Sequence, residues 1–183
     1  MEETRLRLKI MRRWVVGVAA LVGVAAFVPC ARADEGLWRN FRGRIVFTDI
    51  ALAPESNFEN PALMTPALKR LERSTIDQTA GFWRIHVLAF MDRPVAARTM
   101  VLRASDVSDP NAPREVHVFE VPIERGAKEL RMDDFVVTTG MGFESGRSYQ
   151  LVFEAPPDEG AAAGETRKAG KADVYAKGVI TLR

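Results

Sequence analysis

Apolar and polar positions alternate with a period of two along most of the chain from residue 43 onward, the pattern of strands buried on one side. Tyr149, Leu151 and Phe153 share one face, with Ser148, Gln150 and Val152 opposite. The strongest run is residues 82–91. Trp83, Ile85, Val87, Ala89 and Met91 lie on one side, a face that predicts full burial. Phe82, Arg84, His86, Leu88 and Phe90 lie on the other, polar at one end and apolar at the other. That second face predicts a central strand partly covered by a loop or helix.

Further strands are predicted over residues 95–105, 115–123, 130–137 and 174–182. Pro122 marks the 115–123 strand as an edge or a strand end, because proline has no N–H for a ladder. Asp133 and Asp134 interrupt the 130–137 run. Residues 43–52 form the first strand. Its apolar parity shifts from Ile45 and Phe47 to Ile50 and Leu52 across Asp49, predicting a bulge or a change of sheet.

Thr65 followed by Pro66 reads as an N-cap and first helical residue, with Leu68 and Leu71 turned inward, so one short helix is expected near residues 66–73. Residues 34–42 read as a lead-in. Residues 156–172, rich in Pro, Gly, Ala and charge without apolar periodicity, read as a mobile loop. About seven strands, one helix and no strand–helix alternation predict an all-β fold, an antiparallel β-sandwich in a single domain over residues 34–183.

The N-terminal pattern differs. Arg12 and Arg13 precede an apolar run from Trp14 to Val28, and Ala31-Arg32-Ala33 offers a cleavage site. That order predicts a signal peptide over residues 1–33, with Met1 or Met11 as the start. The run is 15 residues long, short of the ~20 a membrane helix needs, so no stable span is expected after cleavage. The paired arginines are common in ordinary signals. Pro29 before Cys30 argues against a lipidated cysteine, and cleavage after Ala33 discards Cys30, the chain's single cysteine. The expected location is the periplasm or the extracellular space.

Export changes the charge. Residues 1–33 hold six of the 26 Lys and Arg but two of the 24 Asp and Glu, which leaves the remainder at a net of −2. The basic pI belongs to the signal, and nothing general favours nucleic acid or anionic lipid as a partner. A mature chain without cysteine has no disulfide, thiol nucleophile or thiolate metal site. No Gly-x-Ser-x-Gly is present, and His86 and His117 each sit within a strand among apolar neighbours. No metal motif appears, and Met91, Met100, Met132 and Met141 are dispersed like ordinary core fillers. Asp133-Asp134 and Asp158-Glu159 are adjacent pairs whose side chains diverge in extended chain. The segment from Gly164 to Ala172 has the wrong spacing and context for a P-loop. No cofactor is expected.

The stretch Phe143-Glu144-Ser145-Gly146-Arg147-Ser148-Tyr149, a Ser-Gly turn leading a tyrosine into a strand, resembles the tyrosine corner of immunoglobulin-like and fibronectin type III domains. The resemblance implies a sandwich of that type, although the inter-sheet disulfide of antibody domains is absent, and such domains often serve as binding or assembly modules. The leading expectation is an exported, non-enzymatic module that binds an envelope protein. Its candidate surface comprises Trp38, Phe41, Phe82, Arg167, Lys168 and Lys171, aromatic and basic residues of the kinds that anchor interfaces. The alternative is a binder of a carbohydrate or apolar small molecule, using Trp38, Phe82 or Trp83 in a concave pocket. A third expectation, a hydrolase or metal-dependent enzyme, requires His86 and His117 to converge.

Overall fold

The structure is a computed structural model that describes residues 35–52, 61–156 and 172–183. The expected signal peptide, Phe58 and nearly all of the 156–172 loop lie outside the described residues. In chain order the elements are α1 (Glu35–Phe41), β1 (Arg44–Thr48), α2 (Pro61–Leu71), β2 (Thr75–Ile76), β3 (Phe82–Phe90), β4 (Thr99–Asp106), β5 (Arg114–Pro122), β6 (Glu129–Thr138), β7 (Ser148–Glu154) and β8 (Val174–Leu182). A 3₁₀ turn, Thr139–Met141, separates β6 from the turn into β7.

A strand is present at each of the seven predicted places, and β2 is an eighth; β1 ends at Thr48, so the shift of apolar parity to Ile50 and Leu52 marks the end of the strand and not the bulge or change of sheet expected. They form one curled sheet in the order β5-β4-β7-β8-β1-β3-β6, with β2 also paired to β8. The sheet is mixed, which corrects the expectation of an antiparallel one. β8 runs parallel to β1 at Arg44↔Lys177 and parallel to β2 at Thr75↔Thr181. Every other pairing along the order is antiparallel.

The sheet curls until the inward faces of its two halves share one core. Trp83, Ile85 and Val87 of β3 meet Met100, Leu102 and Ala104 of β4 and Tyr149, Leu151 and Phe153 of β7 in that core. These are the sets that period-two alternation placed on single faces. The curl is tight at Gly178, where an added Cβ would lie 2.8 Å from the Phe47 ring and 2.9 Å from the Ile45 carbonyl oxygen. Burial of so much apolar surface, at about 25 cal/mol per Å², is the main stabilising contribution.

A second, smaller core lies on the outer side of β1 and β3. Leu88, Phe90 and Val46 pack there with Leu37 and Phe41 of α1 and Leu68 of α2. The two helices thus cover the apolar end of β3's second face, as its pattern predicted. Two helices replace the single one expected. Residues 35–41 are helical because Leu37 and Phe41, four apart, reach the sheet together. The second helix begins at Pro61, not near Thr65, and Pro66 lies inside it. Pro61 suits the first position, where the N–H has no intrahelical acceptor, whereas Pro66, sixth in the helix, gives up one bond of the helical ladder. Thr65 instead accepts a hydrogen bond from Asn40 Nδ2 at 2.9 Å, joining the helices.

Asp133 and Asp134 do not end β6. Ile85 pairs with Phe135 and Val87 with Met132, so the two aspartates oppose His86 alone in a β-bulge. Asp134 has φ 57°, a left-handed conformation that Asp tolerates better than most residues.

Candidate functional site

The expected surface residues have separate fates. Phe41 is fully buried and stacks on Phe90 with ring centroids 5.0 Å apart, so it belongs to the outer core and to no exposed surface. Trp38 is half-buried. Its Nε1–H donates to the Met91 carbonyl at 2.6 Å, and Arg42 and Lys128 lie 5.4 and 4.9 Å from its ring. Phe82 is half-buried and faces a groove. Arg167, Lys168 and Lys171 lie outside the described residues. Trp83, proposed as a ligand aromatic, is fully buried, and its Nε1–H donates to the Arg183 carbonyl at 2.8 Å.

The two histidines do not converge. His86 lies on the outer face of β3, where its Nδ1 accepts from the Asp134 amide at 3.3 Å and sits 3.6 Å from the Asp133 carboxylate. His117, on β5, packs against Phe119, which leans on the inner core. Among the described residues, no three His, Cys, Asp or Glu side chains gather in a way that would hold a metal ion. No helix among them is long and apolar enough to cross a membrane.

Two surfaces remain. The first is the outward face of β5, β4, β7 and β8. Strand register sets Val118, Arg103, Val152 and Lys177 in one row across it. The adjacent row holds Glu120, Val101, Glu154 and Val174, and another holds Ser105, Gln150 and Val179. Val118, Val174 and Val179 are 41%, 41% and 51% exposed, high for apolar residues on strands. Arg103 is the charged hub. It bonds Glu115 and lies 3.5 Å from Glu154. The Glu115 bond, opposed by partial burial and reinforced by the charge of Glu154, raises the guanidinium pKa. Both ends of the strand order carry devices that discourage strand addition: Pro122 and charged Arg114, Glu115 and Glu120 on β5, the bulge on β6.

The second surface is a groove of about 430 Å³ lined by Asp49, Thr75, Ile76, Asp77, Thr79, Phe82 and Arg84. One wall follows from β2 lying beside the end of β8, where Gln78 N–H donates to the Arg183 carbonyl at 2.6 Å. The rim is a tight turn. Thr79 and Phe82 exchange backbone hydrogen bonds of 2.8 and 3.2 Å, with Ala80 at φ 52° and Gly81 at φ 87° between them. Two successive positive φ values match the twist of a two-residue hairpin. Only the glycine takes that conformation without steric cost. Arg84 lies 5.8 Å from the Phe82 ring and 3.5 Å from Asp134. Asp49 is held by Arg73 at 3.1 Å. The sequence named Phe82 as a surface or pocket aromatic beside Trp38 and Trp83, neither of which lines this groove. It held no signal for the other lining residues, which come together through the pairing of two-residue β2 with β8.

The tyrosine-corner stretch has a defined geometry. Tyr149 is buried, and its hydroxyl accepts from the Glu144 N–H at 2.7 Å and lies 3.4 Å from the Glu144 carbonyl oxygen. Burial raises the phenol's pKa, against the opposing Glu144 backbone bond. Nearby, burial alone would raise the Asp106 pKa. Hydrogen bonds from Ser108 and the charges of Arg147 and Arg114 outweigh it and hold the carboxyl below its ordinary range.

No protein-family model and no curated protein matches this chain.

Proposed function

We propose that this protein is an exported, non-enzymatic module with an immunoglobulin- or fibronectin-like sandwich fold, which docks an envelope protein on the outward face of β5, β4, β7 and β8. One observation carries the reading. The helices cover the outer side of β1 and β3, whereas the opposite outer face bears three exposed valines interleaved with charges. Each exposed valine stands in a separate row among Arg103, Lys177, Glu120 and Glu154, the mixture of apolar and charged groups that interaction surfaces present. The partner that fits is a protein with an apolar strip flanked by charges of both signs.

The fold assignment is supported by two features. Within the one sheet, β1-β3-β6 and β5-β4-β7-β8 meet at the parallel β8–β1 pairing, registered at Arg44↔Lys177, and the Tyr149 hydroxyl turns back to the backbone five residues upstream. Fold does not dictate function, so the docking face is the basis of the reading. The non-enzymatic part rests on the absence of catalytic motifs in the sequence and on the separate surroundings of the two histidines. Export rests on residues 1–33.

The test is in-cell photo-crosslinking with the probe placed at Val118 or Val179, followed by mass spectrometry. Val118 and Val179 probes are expected to capture one envelope protein, whereas a probe at exposed Leu63, on α2 over the outer side of β1 and β3, is not. Equal capture from all three positions, or none from the valines, refutes the docking face. A mature N-terminus at Asp34 is expected if the signal is cleaved after Ala33.

A further inference from the structure

We propose that the groove beside Phe82 binds a neutral carbohydrate, at a site separate from the protein-docking face. Its volume of about 430 Å³ lies within the range of small-ligand sites, about 300–1,000 Å³, and matches a ligand of a few sugar rings. The lining has the mixture a sugar requires. Phe82 offers an aromatic ring for the C–H face of a pyranose. Asp49 and Asp77 accept hydrogen bonds, Arg84 donates them, and the Thr75 and Thr79 hydroxyls do both. Adjacent sugar hydroxyls each donate and accept, so they need such alternation.

The charge arrangement selects among ligands. The Asp49 carboxylate is already compensated by Arg73, and the Arg84 guanidinium by Asp134 and the Phe82 ring. Asp77 is the lining charge without an ion-pair partner among the described residues. An anionic ligand therefore meets no spare cation, and a polycation meets a single carboxylate. An apolar ligand would strip water from two carboxylates and a guanidinium without replacing their hydrogen bonds. A neutral polyhydroxyl ligand replaces those bonds.

The walls are also pre-shaped. The Thr79–Phe82 turn is closed by two hydrogen bonds, and Ala80 is held in a conformation uncommon for a residue with a Cβ. Rigid walls reduce the ordering cost of binding. Backbone strain of this kind concentrates at ligand clamps.

Saturation-transfer NMR on the purified protein tests the assignment. The neutral probes are maltotriose, cellotriose and tri-N-acetylchitotriose, and the charged controls are trigalacturonate and the deacetylated glucosamine trimer. At least one neutral trisaccharide is expected to receive saturation, and the charged trimers little. Phe82→Ala should weaken binding about tenfold, the loss of one aromatic contact. Arg84→Ala, at an exposed position that does not threaten the fold, should also weaken it. Val118→Arg, on the docking face, should leave sugar binding intact while abolishing partner capture, which separates the two proposals. No transfer to any neutral probe, equal or stronger transfer to a charged one, or binding unchanged in both groove variants overturns it.

Discussion

Replacing Glu129 by glutamine should change how the protein's stability depends on pH. Glu129 opens β6 opposite Phe90, is 7% exposed, and its Oε1 has no hydrogen-bond partner. Burial pushes its pKa up from the ordinary 4.5 to about 7. In the unfolded chain the carboxyl titrates near 4.5. Between these values the folded protein keeps a proton that the unfolded chain has released, so stability falls as pH rises. The contribution is complete below about pH 4.5 and is lost as pH passes through about 7. One pKa unit is worth about 1.4 kcal/mol, so the whole window amounts to about 3 kcal/mol. Glutamine keeps the volume and cannot ionise, but it still buries an amide that lacks a partner, which costs about 1 kcal/mol or more.

Urea unfolding followed by tryptophan fluorescence, at constant ionic strength from pH 4.5 to 8, checks this. Wild type and Glu129→Gln should be closest in stability near pH 5, with the variant no better than wild type. At pH 8 the variant should be ahead by about 2 kcal/mol, the carboxylate penalty less the amide cost. Asp106 does not confuse the window. Its lowered pKa contributes stability that is present above the ordinary carboxylate range and lost in stronger acid. The same pH slope in the variant and wild type would refute the reasoning, because it would mean that Glu129 is solvated or paired in the folded state.

Gly178→Ala should destabilise the protein by about 1–3 kcal/mol, since the new methyl meets the Phe47 ring and the Ile45 carbonyl at under 3 Å; thermal unfolding reads the loss. Tyr149→Phe should cost about 1–3 kcal/mol in the same assay, because the Glu144 N–H loses its acceptor, while far-UV circular dichroism stays unchanged.

The inner core was legible because alternation is a local property. Each of Trp83, Ile85, Tyr149, Leu151 and Phe153 takes its side of the strand from its neighbours, whatever the strand pairs with. The partial cover over Leu88 and Phe90 could be read for the same reason, and so could the helix that brings Leu68 to it, though with a later start, but α1 could not. Phe41 and Phe82 were indistinguishable by residue type. One is sealed against Phe90, and the other lines a groove. That difference arises from α1 packing on the sheet and from β2 pairing with β8, neither of which leaves a periodic trace. Two residues are too few to show a period. The bulge is similar: Asp133 and Asp134 read as an interruption, whereas register makes them a two-against-one match for His86 within a continuous strand.

The sequence by itself determined seven of the strands, their inward faces, a cysteine-free segment beyond residue 33 and the lack of familiar catalytic motifs. These follow from residue type and near-neighbour spacing. Tertiary structure alone decided that β8 runs parallel to β1 and β2, that the helices cover one outer face while the other carries no helix among the described residues, and that Asp49, Asp77, Phe82 and Arg84 share a groove. The physical reason is range: pleat and twist act between adjacent residues, whereas curling one sheet onto itself brings together segments a hundred residues apart.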